Sequence, residues 1–138
     1  MATARCSCGS VTLTLTGPPA LVVACHCTDC QRRSGSPYGV GAYYPEAAAT
    51  ITGETREYTR PGASGRMVRN HFCPVCGTSV FWYADRLPGH VAVAVGALAD
   101  PSFPPPDRSV FEETRLSWVG ELRARAHFRH GSDGAPQS

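Results

Sequence analysis

The sequence contains no lysine: all thirteen basic side chains among its 138 residues are arginine. Every fixed cation is therefore a planar guanidinium, suited to paired contacts with carboxylates rather than to a mobile point charge. No apolar run approaches the roughly 20 residues of a membrane span, which excludes a spanning helix. Met1 to Arg5 lead straight into Cys6 without the apolar core of a secretory leader, so the expected location is cytoplasmic. Charge is sparse, at 17% of residues, and the formal net charge is +2. Seven thiolates and two divalent ions would take it to about −1, a poor basis for gripping a polyphosphate. No stripe of arginines interleaved with aromatics appears, so nucleic-acid binding is not expected. Helical periodicity is scarce and no internal repeat or composition shift divides the chain. A single domain over residues 1–130 is expected, with a small, polar, disordered tail over 131–138.

What is present points to a turn-rich, mainly β protein: 42% hydrophobic residues, 14 glycines and 12 prolines. Val11 to Leu15 alternates as a half-buried strand, and Leu21 to Ala24 is a short buried strand that delivers Cys25. Further strands are expected at Tyr38–Tyr43 and Thr50–Tyr58, broken by Pro45 and Gly53, at Arg66–Phe72, Ser79–Tyr83 and Val91–Val95, and from Val110 to Trp118. Pro45 to Ala49 has room for one helical turn. Thr28 with Gln31 has the form of a capping box, which predicts a short helix from Asp29 to Ser34 stopping at Gly35.

Cysteine carries the chemistry. The seven cysteines fall as Cys6-x-Cys8, Cys25-x-Cys27-x-x-Cys30 and Cys73-x-x-Cys76. An odd number in a reducing compartment argues against a disulfide framework, and short spacings on separate segments are how a chain builds zinc sites. Cys73-Pro74-Val75-Cys76-Gly77 reads as a zinc knuckle, with Gly77 supplying the turn. Cys6 and Cys8, one residue apart on an extended segment, face the same way and can complete its tetrahedron. Cys25, Cys27 and Cys30 then cap one face of a second metal and leave its fourth position open, the mark of a catalytic site. A rival partition places Cys27 and Cys30 with Cys73 and Cys76 as a zinc ribbon, leaving Cys6, Cys8 and Cys25; spacing alone leaves it standing.

With these motifs in view, the chain resembles the glutathione-dependent formaldehyde-activating enzyme family, which includes the centromere-protein-V-like group. The matching pieces are Cys6–Val11, Cys25–Gln31, Ser34–Pro37, Phe72–Ser79, Val95–Leu98 and Glu113–Trp118, within residues 4 to 120. The resemblance implies a β-tent fold of stacked antiparallel sheets with zinc knuckles and one short helix. It implies a structural zinc on Cys6, Cys8, Cys73 and Cys76 and a catalytic zinc on Cys25, Cys27 and Cys30. The implied activity is that of a carbon–sulfur lyase, adding glutathione reversibly to formaldehyde to give S-hydroxymethylglutathione. The implied partners are therefore a small thiol and a small aldehyde.

Arg32 and Arg33 come just after the three-cysteine cluster and are candidates to meet the carboxylates of glutathione; a solvated helix face is the plain alternative. His26, between two ligands, points away from the metal if the chain there is extended. His71 is a rival ligand near the knuckle, and Asp29 is a helix-start residue. Tyr43, Tyr44, Phe81, Trp82, Tyr83 and Trp118 are expected in the core more than around a pocket. Glu112 and Glu113, adjacent on a strand, face opposite sides, and Arg123 to His130 reads as a solvated terminus. Two further functions stand beside the lyase: a zinc-bearing protein-interaction module without catalysis and, more weakly, a nucleic-acid binder.

Overall fold

The protein is described by a computed structural model over residues 1–63 and 65–131. The expected tail falls on residues 131–138, of which all but Gly131 lie outside the described residues. Among those described, 40% are in strands and 13% in helices, so the chain is mainly β. The elements are β1 (Ala2–Arg5), β2 (Thr12–Leu15), β3 (Leu21–Cys25), α1 (Thr28–Ser34), β4 (Gly39–Pro45), β5 (Ala49–Thr52), β6 (Arg56–Pro61), β7 (Met67–Phe72), β8 (Ser79–Ala84), β9 (His90–Ala94), β10 (Arg108–Val110) and β11 (Ala126–His127). Short 3-10 turns occupy Glu46–Ala48, Val95–Leu98 and Glu112–Thr114. The chain groups into two compact units: residues 1–20 with 42–101, and residues 21–41 with the chain from Ser102 onward.

The first unit holds two antiparallel ladders. One runs β1-β2-β5, with Ala4 opposite Leu13 and Leu13 opposite Ile51. The other runs β9-β8-β7-β6. Period-2 alternation puts Leu13 and Leu15 of β2 fully inside while Thr12 and Thr14 are half-buried. Val80, Phe81 and Trp82 of β8 and Val91, Ala92 and Val93 of β9 are consecutive buried residues, the pattern of strands covered on both faces. The β7–β8 register slips between His71 and Phe72. Such an irregularity bends a strand and re-aims the residues beyond it; the next residue along this chain is Cys73.

In the second unit β10 pairs in parallel with β3 on one side and β11 on the other. Asp107 ties the first of these pairs. Its carboxylate accepts from Val22 N at 2.9 Å and its own N–H donates to Val22 O at 2.9 Å. Cys25 ends β3, and His26 and Cys27 lead from it into α1.

Several expectations need correction. The α1 helix is capped by Cys27, whose Sγ accepts from Cys30 N at 3.3 Å; the expected Thr28–Gln31 capping box does not form. Gln31 instead donates through Nε2 to His26 O at 2.9 Å and Thr114 O at 3.1 Å. The expected stop at Gly35 does occur, with φ +65 in the left-handed region. The long strand from Val110 to Trp118 is absent: β10 ends at Val110, and Phe111 turns the chain with φ +54 into the 3-10 turn. Arg123 to His130 is not simply a solvated terminus, since it supplies β11 and buries Phe128.

Candidate metal centres

The first centre is built from two turns of like design. In one, Cys6 N donates to Val11 O at 3.0 Å and Gly9 N to Cys6 O at 3.1 Å, with Gly9 at φ +83. In the other, Cys73 N donates to Thr78 O at 3.0 Å and Gly77 N to Cys73 O at 2.9 Å, with Gly77 at φ +77. Each closes through a left-handed residue that a side chain would strain. The Cys6–Cys8 segment is thus a turn rather than the extended stretch expected, and the Cys-Gly-Ser and Cys-Gly-Thr runs at Cys8–Ser10 and Cys76–Thr78 are the repeated signal for it.

Four sulfurs meet between these turns. The Sγ atoms of Cys6, Cys8, Cys73 and Cys76 all lie within 4.8 Å of one another. Cys6 to Cys8 is 3.6 Å and Cys8 to Cys73 is 3.7 Å. Tetrahedral zinc with Zn–S bonds of about 2.3 Å requires an edge of about 3.8 Å, so the spacing fits a shared ion and is far too long for a disulfide. Backbone N–H groups already point at the sulfurs: Val11 N lies 3.3 Å from Cys6 Sγ and Val75 N 3.4 Å from Cys73 Sγ. Ser10 Oγ lies 3.1 Å from both Cys8 Sγ and Cys73 Sγ. Thr78 Oγ1 accepts from Ser7 N at 3.1 Å, which latches one turn to the other, and lies 3.3 Å from Cys76 Sγ. Hydrogen bonding with Thr78 and with backbone N–H groups brings the Cys76 thiol down to about 5. Ser10 and Thr78 are contributors that the cysteine spacing alone did not reveal.

The second centre lies where β3 ends and α1 begins. Cys25, Cys27 and Cys30 place their sulfurs within 4.8 Å of one another. The structure thereby draws the cysteines into the four-and-three partition. None of the seven is in a disulfide. Hydrogen bonds with Cys27 and Cys30, then burial, push the Cys25 thiol far up. At Cys30 the hydrogen bond with Cys25 acts downward, but the bond with Cys27 and burial outweigh it and leave the thiol at about 11. The positive charge of Arg33 also favours ionised Cys30. Three crowded thiols ionise together only when a cation takes the place of their protons, so the set fits a soft divalent ion.

Of the remaining candidates, His26 points into the protein, fully buried, with Nε2 3.1 Å from Ser109 Oγ. His71 is not at the knuckle sulfurs; it stacks on Phe81 at 4.7 Å and meets Thr55 Oγ1 at 2.9 Å. Asp29 sits in the first turn of α1, as expected, and Arg32 and Arg33 in its last. Arg33 packs over Gly39, where a Cβ would overlap its Nη2. Tyr44, Phe81 and Trp82 are core, whereas Trp118 is 74% exposed. Glu112 and Glu113 lie on a 3-10 turn and each takes its own histidine: His127 Nδ1 at 2.7 Å and His130 Nδ1 at 3.0 Å. No helix among the described residues is long and apolar enough to cross a membrane.

A Rhodobacter sphaeroides protein of known crystal structure has a similar fold, with TM-score 0.57 and 21% identity over 74% of this chain and 91% of its own. No match is found among the curated proteins. The glutathione-dependent formaldehyde-activating enzyme family matches residues 1–114, a stretch that includes all seven cysteines. The chain therefore belongs to the glutathione-dependent formaldehyde-activating enzyme family.

Proposed function

We propose that this protein is a zinc-dependent carbon–sulfur lyase that adds a thiol, glutathione or a close relative, reversibly to a small aldehyde such as formaldehyde. Family membership supports the reaction class. The observation that carries the reading is the existence of a three-sulfur group, Cys25, Cys27 and Cys30, as well as the four-sulfur group of Cys6, Cys8, Cys73 and Cys76. Four thiolates complete a tetrahedron, and three leave one coordination position for a reactant. The first set is then catalytic and the second structural.

When bound at the three-cysteine centre, zinc supplies a position for a soft sulfur donor and favours the thiolate form of a thiol held there. The chain's own residues do the rest. Cys25, Cys27 and Cys30 would hold the ion, and their combined negative charge would make it a weak electrophile. That favours delivering sulfur over polarising a carbonyl. Arg33, beside Cys30, and Arg32 on the same turn of α1 are the candidates to pair with the substrate's carboxylates. In the forward direction the sulfur forms a bond to the aldehyde carbon, the carbon–oxygen π bond breaks, and the proton lost by the thiol ends on the new hydroxyl. The reverse direction breaks the same carbon–sulfur bond.

The test is exchange between formaldehyde and S-hydroxymethylglutathione, monitored by NMR against a no-protein control because the uncatalysed addition also proceeds. Acceleration by the wild type and its loss in Cys30→Ser is the expected result. Equal exchange with wild type, Cys30→Ser and no protein would overturn the lyase reading and favour a zinc-bearing interaction module.

A further inference from the structure

We propose that His26 is the positioning residue of the three-cysteine centre, fixing the turn between Cys25 and Cys27 through a hydrogen-bonded chain that runs from its buried ring by way of Ser109 to Glu112 and His127. The inference rests on reading Cys25, Cys27 and Cys30 as a metal centre. It adds a role for residues that the cysteine pattern leaves unexplained.

His26 is held at almost every polar atom. Its N–H donates to Val110 O at 3.0 Å. Its C=O accepts from Thr114 Oγ1 at 2.8 Å and Gln31 Nε2 at 2.9 Å. Its Nε2 meets Ser109 Oγ at 3.1 Å, and both side chains have no exposed surface. A residue tied at backbone and ring between two ligands leaves the sulfurs on either side little freedom. Supporting contacts of this kind orient ligands and typically change metal affinity by about 10- to 100-fold when removed.

The hydrogen bonds also have a direction. Glu112 accepts from Ser109 and from His127 Nδ1, the latter at 2.7 Å. Ser109 has one hydroxyl proton, and a carboxylate can only accept, so that proton goes to Glu112. Ser109 Oγ must then accept from His26, which places a proton on His26 Nε2. The other ring nitrogen, Nδ1, is buried with no hydrogen-bond partner, as suits a nitrogen lacking a proton more than an unmatched N–H donor. His127 extends the chain from Nε2 to Glu121 at 3.5 Å, and Glu121 is largely exposed. The two ring nitrogens of His127 thus face two different carboxylates, Glu112 and Glu121.

The test is zinc release from the intact, fully loaded chain to a chromogenic chelator. Wild type should release in two phases, and the phase missing from Cys30→Ser identifies the three-cysteine centre. Ser109→Ala removes one hydroxyl and should speed that phase about tenfold, leaving the phase from the four-cysteine centre unchanged as an internal control. An unchanged three-cysteine phase, or equal acceleration of both, would overturn the proposal, the second result meaning general loosening of the fold. Should Ser109→Ala not fold, long-range proton–nitrogen NMR of wild-type His26 decides instead. The ring proton on Nε2 is expected, and a proton on Nδ1 overturns the chain. Neither readout depends on thiol–aldehyde exchange, so the lyase reading and the positioning role fail separately. A wild type with no release phase from these cysteines would overturn the metal centre itself.

Discussion

Replacing Cys76 by serine should cost far more stability than replacing Cys30, and the chain's connectivity sets the size of the gap. Cys8 and Cys73 are 65 residues apart and their sulfurs 3.7 Å apart, so an ion in the four-cysteine centre cross-links a loop of that length. Treating the ion as a cross-link, closing a loop of this size removes about 4 kcal/mol of freedom from the unfolded chain. The three-cysteine centre closes only the short stretch from Cys25 to Cys30, worth about 2 kcal/mol in the same treatment. Release of the ion on loss of one ligand should therefore lower the melting temperature by roughly 12–20 °C for Cys76→Ser and by about half that for Cys30→Ser, given about 3–5 °C per kcal/mol at this chain length. Calorimetry or circular dichroism of the metal-loaded proteins measures both. The same scans after chelation serve as the control, because without metal the two variants should melt alike. Equal shifts in the loaded state would refute the assignment of one centre to structure and the other to chemistry.

Other outcomes arise from particular contacts. Gly53→Ala should unfold the protein or release the four-cysteine zinc, because Gly53 has φ +100 and a Cβ there would overlap the backbone oxygen of Ser10; zinc content with a melting curve reads this. Gly39→Ala should displace Arg33 without altering any charge, raising KM for glutathione several-fold while leaving exchange with 2-mercaptoethanol, which has no carboxylate, nearly unchanged. Burial acts to raise the Glu112 carboxyl, but hydrogen bonds from His127 and Ser109 outweigh it, and with Arg115 nearby hold it below its ordinary 4.5. A depressed carboxyl contributes stability that is complete above pH 4.5 and fades as pH falls through the lower folded value. Glu112→Gln should therefore lose more stability against wild type at pH 6 than at pH 3 in metal-free protein, measured by urea titration at both pH values.

The parts of this molecule that are legible in the sequence are those where one residue type admits few uses. Seven cysteines at short spacings admit little but metal binding, and alternation at Thr12–Leu15 or continuous apolar runs at Val80–Trp82 admit little but strands. The features that escape a sequence reading depend on partners distant in sequence. Ala2–Arg5 has no strong strand pattern and becomes β1 because β2 lies beside it. The segment after Val110 has strand-like residues, but Phe111 in the left-handed region breaks it, and its neighbours bond instead to Phe128 and Arg129. The α1 cap passes to Cys27 because its sulfur is already held at the helix start. Gln31 is free to reach Thr114, a contact no local pattern announces. The support around the sulfurs by Ser10, Thr78 and His26 is invisible for the same reason, although the twin Cys-Gly-Ser and Cys-Gly-Thr runs carry a trace of it.

Cadmium-113 NMR of the protein loaded with two cadmium ions per chain bears most directly on the central claim that the three-cysteine centre takes up an external thiol. Cadmium stands in for zinc at thiolate sites and gives each centre its own resonance. On adding glutathione, the resonance of the Cys6–Cys8–Cys73–Cys76 centre should stay in place. The resonance missing from Cys30→Ser should move downfield as a fourth sulfur replaces oxygen. If that second resonance keeps its position at saturating glutathione, or if Cys30→Ser removes neither resonance, the three-cysteine centre is not the thiol site and the account fails.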